Sequence, residues 1–210
     1  IIMIIIASVF DMLDGRVARL LTSTSEFGMH LDSLSDFVVF GAVPAFAVYL
    51  WMDKPQGNLF WIIIVLYVIC SALRLARFNS ELSERPSYAK NYFNGVPTPA
   101  AAFLMLFPIA IDGFLSSQDL KSFENIGFWI GLISIAMVSN LPTFSGKVFQ
   151  IPKSYVIPML IILALLSNAI ISNPIKGFII LVLVYIFSLP FASLFYWRLK
   201  KKAEALNLKS

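Results

Sequence analysis

Apolar residues run along this chain in long unbroken blocks, not in the alternation of a half-buried strand or the one-sided stripe of a soluble helix. After an opening block, "IIMIIIASVF" at 1–10, they fall at about 33–52, 58–78, 95–115, 126–143, 154–172 and 175–198. Most approach the roughly 20 residues that a helix needs to cross the hydrocarbon core of a bilayer. The breaks carry turn residues: "MDKPQGN", "DGFLSSQD", "PTFSGK" and "SNP". The short link at 173–174 makes the last two blocks antiparallel neighbours. Runs this long and this continuous exclude a closed barrel of strands. The pattern predicts an all-α fold, a polytopic transmembrane helix bundle with seven helices or helix parts, in a single domain over 1–210.

Composition sharpens that picture. Apolar residues make up 59% of the chain and charged residues 13%, about half the share usual in a soluble domain. Mean hydropathy is +0.82. The single cysteine, Cys70, lies inside the apolar run "WIIIVLYVIC", has no internal disulfide partner and reads as an inert buried thiol. The opening block gives only ten apolar residues before Asp11, without the basic flank and cleavage site of a signal peptide. The expectation is a longer natural chain with a further helix upstream.

Lysine and arginine placement sets the orientation. If 16–31 faces the cytoplasm, alternation of the loops puts thirteen of the sixteen on that side: Arg16, Arg19, Arg74, Arg77, Arg85, Lys90, Lys147, Lys153, Arg198, Lys200, Lys201, Lys202 and Lys209. Lys54, Lys121 and Lys176 lie opposite. The expected location is the cell (plasma) membrane, with the tail "WRLKKKAEALNLKS" solvated beside lipid headgroups. Nothing in the charge pattern calls for a nucleic acid.

Against this background stands "DMLDGRVARLLTSTSEFGMHLDSLSD", residues 11–36, with four aspartates. On a helix at about 100° per residue, with Asp11 at zero, Asp14 falls at about 300°, Gly15 at about 40°, Ala18 at about 340° and Arg19 at about 80°. On the next helix Gly28, Asp32 and Asp36 fall at about 0°, 40° and 80°. Two antiparallel helices would bring both acidic faces together at the membrane boundary. Four converging carboxylates repel one another unless cations are present. Oxygen-only ligands point to hard divalent ions, Mg²⁺, Mn²⁺ or Ca²⁺. His30 lies off the aspartate face and reads as a boundary residue. Two cations on carboxylates suit a phosphate-rich substrate such as a pyrophosphate. The glycines let such a ligand approach the backbone, and Arg19 can meet a phosphate.

Residues 11–36 read D-x2-D-G-x2-A-R-x8-G-x3-D-x3-D, with Asp11, Asp14, Gly15, Ala18, Arg19, Gly28, Asp32 and Asp36 at the fixed positions. This resembles the signature of the CDP-alcohol phosphotransferases, membrane enzymes that move a phosphoalcohol group from a CDP-linked donor to a hydroxyl and release CMP. The resemblance implies two divalent cations, Mg²⁺ or Mn²⁺, with Asp11, Asp14 and Asp32 as principal ligands. It makes Asp36 the base toward the acceptor hydroxyl and a metal ligand as well. Gly15, Ala18 and Gly28 then make room for the cytidine nucleotide, Arg19 binds its phosphates, and the enzyme is a homodimer among membrane lipids.

A second stretch, "ALRLARFNSELSERPSYAKNYFNGVPTPAAA" at 72–102, resembles the matching region of the phosphatidylserine synthases, one branch of that family. It carries R-x2-R-F-N at 74–79 and F-x-G-[LV]-P-[ST]-P-A at 93–100. The resemblance implies eight helices in the full protein, CDP-diacylglycerol as donor, L-serine as acceptor and CMP as leaving group. Arg74 and Arg77, three residues apart, are the expected grip on the serine carboxylate, with positive-inside anchoring as the plainer reading. Gly95, Pro97 and Pro99 either start the next helix or shape the pocket. Other readings stay open. A phosphatidylglycerophosphate, phosphatidylinositol-phosphate or choline-type transferase, or an enzyme using archaeal lipid, would keep the aspartates and change a substrate. A cation transporter would instead hold its ionisable residues near the bilayer midplane.

Overall fold

The computed structural model describes residues 1–20, 26–52, 57–81, 92–115, 122–144 and 172–207, with Pro158, Ile161, Ala164 and Asn168 as single positions. Within these, the side chains at 15–20, 26, 81 and 202–207 lie outside the description.

The architecture is an all-α polytopic bundle. Helix α1 spans Ile2–Leu20. Helix α2 (Glu26–Asp36), a π-helical stretch Phe37–Ala42 and α3 (Val43–Trp51) follow without a break. Helix α4 is Gly57–Glu81, α5 Thr98–Leu115, α6 Phe123–Val138 and α7 Pro174–Asn207. Among the described residues, four helical spans are long and apolar enough to cross a membrane: Phe27–Trp51, Gly57–Ser80, Thr98–Leu115 and Pro174–Lys201. Their outward faces carry Phe27, Leu50, Ile62 and Phe187, which water would penalise and lipid does not.

The core forms around α4. Phe60, Ile64 and Tyr67 are almost wholly buried, packed with Phe40, Val48, Met105, Ile130, Ile133 and Met137 in one cluster. Helix α4 packs most extensively on α6, and its contact with the π stretch is also close. At Gly41 an added Cβ would lie 2.7 Å from Ser71 Oγ and 3.2 Å from its Cβ, so a larger residue would require Ser71 to shift.

The π stretch has a local cause. Pro44 lacks the N–H that would bond the Phe40 carbonyl in an α-helix, and its ring would press on that same carbonyl. The backbone widens instead, and the Val43 N–H donates to Val38 O, five residues back. The freed Phe40 carbonyl accepts from the Tyr67 hydroxyl at 3.1 Å.

Two groups of contacts define the ends of the bundle. At one end Trp51 Nε1 donates to Asp112 Oδ2 at 3.0 Å, and Phe60 packs edge-on against Phe123. At the other, strand β1 (Tyr92–Asn94) pairs antiparallel with β2 (Pro142–Phe144), with Phe93 opposite Thr143. Tyr92 there meets Tyr196 of α7, ring centroids 5.3 Å apart. Aspartates and basic residues gather at this second end.

The sequence pattern places the helices but misplaces several boundaries. The block at 33–52 begins as helix already at Glu26, because polar α2 is continuous with it. Residues 95–97 and 142–143 are not helical; the first precede α5 and the second belong to β2. There Gly95 holds φ at +77°, and its N–H donates to Leu141 O at 2.8 Å. The last helix runs past 198 to Asn207, so the basic tail begins as helix. Most of the block at 154–172 lies outside the described residues, though Pro158, Ile161, Ala164, Asn168 and Ser172 are helical.

Candidate active site

Helices α1 and α2 each bring two carboxyls to one place. Asp11 and Asp14 stand one turn apart on α1, and Asp32 and Asp36 one turn apart on α2. Across the helix pair the carboxyls of Asp11 and Asp36 come close enough to act on each other. The charge of Asp32 bears on both, and that of Asp14 on Asp11. Asp11 and Asp36 are half-buried, whereas Asp14 and Asp32 are exposed.

Carboxylates brought this close repel each other, so the pair marks a place where negative charge wants a cation. The donor set is all oxygen, the type preferred by Mg²⁺, Mn²⁺ and Ca²⁺. Among the described residues no three acidic, histidine or cysteine side chains are arranged to hold one metal ion together. The carboxylates are therefore neighbours that fit a hard cation in chemistry without forming a closed cage. Gly28 is exposed on α2, one turn before Asp32, and His30 is exposed two residues further on. The side chains of Gly15, Ala18 and Arg19 lie outside the described residues, and only their backbone positions, in the last turns of α1, are given.

Helix α4 supplies the positive side. Arg74, 8% exposed, donates from Nη1 to Thr98 Oγ1 at 2.8 Å. Its guanidinium carbon lies 5.4 Å from the Phe78 ring centre and 5.9 Å from that of Phe93. Its charge acts on Asp36. Arg77 turns elsewhere: Nη1 donates to Val138 O at 3.1 Å and Nη2 to Asn140 Oδ1. It thereby meets a carbonyl at the C-terminal end of α6, a favourable place for a cation. Of the two arginines expected at the site together, Arg74 acts on Asp36 through its charge, and Arg77 bonds Val138 O and Asn140 Oδ1.

Three more residues join the site. Asn79 Nδ2 donates to Ser33 Oγ at 2.8 Å, linking α4 to α2 right beside Asp32. Thr98, wholly buried, orients Arg74. Tyr185 of α7 lies close enough to Arg74 to feel its charge, and its buried hydroxyl has no hydrogen-bond partner among the described residues. Tyr185 also lines an apolar cavity of about 160 Å³ between α5 and α7, with Phe103 and Val182. The sequence offered Asn79 only as part of "RFN" and Thr98 only as the [ST] position of the motif at 93–100, and gave no sign of Tyr185.

Known proteins resemble this chain over much of its length. The family model for CDP-alcohol phosphatidyltransferases matches residues 1–140. A CDP-diacylglycerol–serine O-phosphatidyltransferase of Mycobacterium bovis is 34% identical over 190 residues, covering 89% of this chain and 65% of the relative. The protein of the same name from Helicobacter pylori is 39% identical over 142 residues, 66% of this chain and 57% of the relative. One from Methanocaldococcus jannaschii is 35% identical over 150 residues, 70% of this chain and 65% of the relative. The match thus spans less than two thirds of the length of these curated relatives.

Proposed function

Because the chain belongs to the CDP-alcohol phosphatidyltransferase family, we propose that it transfers the phosphatidyl group of CDP-diacylglycerol to the hydroxyl of L-serine, giving phosphatidylserine and CMP. The observation that carries this reading is the contact of Asp11 with Asp36 across α1 and α2, with Asp32 and Arg74 acting on the same carboxyl. The names of the relatives support serine as acceptor.

Asp11, Asp14, Asp32 and Asp36 would hold two divalent cations, Mg²⁺ or Mn²⁺, whose charge offsets that of the pyrophosphate. Asp36 receives the proton of the serine hydroxyl as its oxygen attacks the lipid-linked phosphorus. The new bond is serine oxygen to phosphorus; the bond that breaks joins that phosphorus to the CMP oxygen, which leaves with the electron pair. Gly15, Ala18 and Gly28 admit the cytidine nucleotide, and Arg19 meets its phosphates. Arg74, held by Thr98 beside Asp36, is the guanidinium best placed to take the serine carboxylate. The protein needs little covalent chemistry of its own; positioning and charge stabilisation suffice. The apolar cavity beside Tyr185 suits part of an acyl chain.

The excess of lysine and arginine at the aspartate end supports a site on the cytoplasmic face of the cell membrane. A single catalytic domain over 1–210, working as a homodimer, completes the reading. The test is CMP release by purified protein with CDP-diacylglycerol, Mg²⁺ or Mn²⁺, and acceptors added singly. Release is expected with L-serine and not with glycerol 3-phosphate or inositol phosphate. Release with another acceptor only would overturn the serine assignment.

A further inference from the structure

An α-helix advances about 100° per residue, and a π turn holds one residue more than the α ladder needs. Everything before such a turn is therefore rotated by about 100° relative to everything after it. In this chain the turn begins at Phe37, the residue after Asp36. On its far side α3 is locked into the core by Ala45 and Val48, both 0% exposed. The orientation of α3 is thus fixed by packing, and the angle at which α2 presents Asp32 and Asp36 depends on whether the π turn is kept.

Two side chains decide that. Pro44 denies the Phe40 carbonyl its α-helical donor, which creates the turn. Tyr67, wholly buried on α4, gives that carbonyl a replacement donor at 3.1 Å. Without it that carbonyl would lose a donor in an apolar core, an incentive for the backbone to rearrange.

We propose that Tyr67 is a positioning residue for the carboxylate site: its hydroxyl, by satisfying Phe40 O, holds the Pro44-induced π turn that aims Asp36 and Asp32 toward Asp11. The inference rests on the assignment of Asp36 as a cation ligand and base given above. It adds a residue that never touches substrate, three helical turns along α4 from the chemistry at Asn79.

The experiment compares wild type, Tyr67→Phe, Pro44→Ala and Tyr49→Phe, the last removing a hydroxyl from α3 away from the turn. Each purified protein is titrated with Mn²⁺ by calorimetry, then assayed for CMP release and for thermal unfolding. Tyr67→Phe is expected to weaken Mn²⁺ binding and lower kcat by about 10-fold each, the scale of loss for residues that orient metal ligands, with KM for CDP-diacylglycerol within about 2-fold. Pro44→Ala is the sharper arm. It restores a helical N–H, so the helix becomes no less stable, yet Mn²⁺ binding is expected to weaken because the carboxylates are turned away. Tyr49→Phe should match wild type. Unchanged Mn²⁺ affinity in both Tyr67→Phe and Pro44→Ala would overturn the inference, as would a loss in Tyr67→Phe matched by Tyr49→Phe. Wild type that binds Mn²⁺ but releases no CMP with any acceptor would overturn the reaction alone, and the Mn²⁺ comparison would still decide the role of Tyr67.

Discussion

Asp36 stands where three influences meet: the neighbouring carboxyl of Asp11, the charge of Asp32 and the opposing charge of Arg74. Asp36→Asn keeps the size of the side chain and removes its capacity to take a proton. It is expected to cut CMP release by at least about 100-fold, the usual worth of a placed base, while CMP still binds. Substantial residual turnover would remove the assigned role. The aspartates were readable in the sequence because helix geometry alone puts them on two faces, and those faces need only meet. Arg77 was not readable in the same way. Its spacing from Arg74 permits a shared target, but its partners Val138 and Asn140 lie more than sixty residues along the chain. No local pattern encodes that choice.

At the scale of elements, the pairing of β1 with β2 ties the chain before α5 to the chain after α6. Gly95 makes that junction possible. An added Cβ would clash with the carbonyl oxygen of Met137, and φ is already +77°. Gly95→Ala is expected to destabilise the protein by at least about 1–3 kcal/mol, the cost of a strained backbone before the clash is counted. A lowered unfolding temperature in detergent would register it, and an unchanged one would show that the strands can part freely. Apolar run length revealed the helices well, since a membrane span is defined by length more than by phase. It could not reveal the strands, which are three residues each and inherit their conformation from one another. It also missed the π stretch: Pro44 looks like an ordinary helix start until Phe40 and Tyr67 are seen together.

The whole molecule has two unlike ends. Asn79 joins Ser33 at the aspartate end, while Lys176 lies over the Phe114 ring at the other. If the aspartate end is cytoplasmic, position 80 is reachable from inside the cell and position 172 from outside. In a Cys70→Ala background, a membrane-impermeant maleimide should label Ser172→Cys in intact cells and Ser80→Cys in inverted vesicles. The reverse pattern would invert the orientation. The orientation rests on charge asymmetry, a property of the whole chain that survives errors at single boundaries, and this labelling is its test.

The π turn sets robustness against use. Deleting one residue between Phe37 and Ala42, with Pro44 also replaced, would return the span to a regular ladder, shorter in sequence and sounder as a helix. Replacing Pro44 by a better helix former would push the same way. An engineer selecting only for sturdier variants would therefore be drawn to this segment, and each success would swing the acidic face away from its partner.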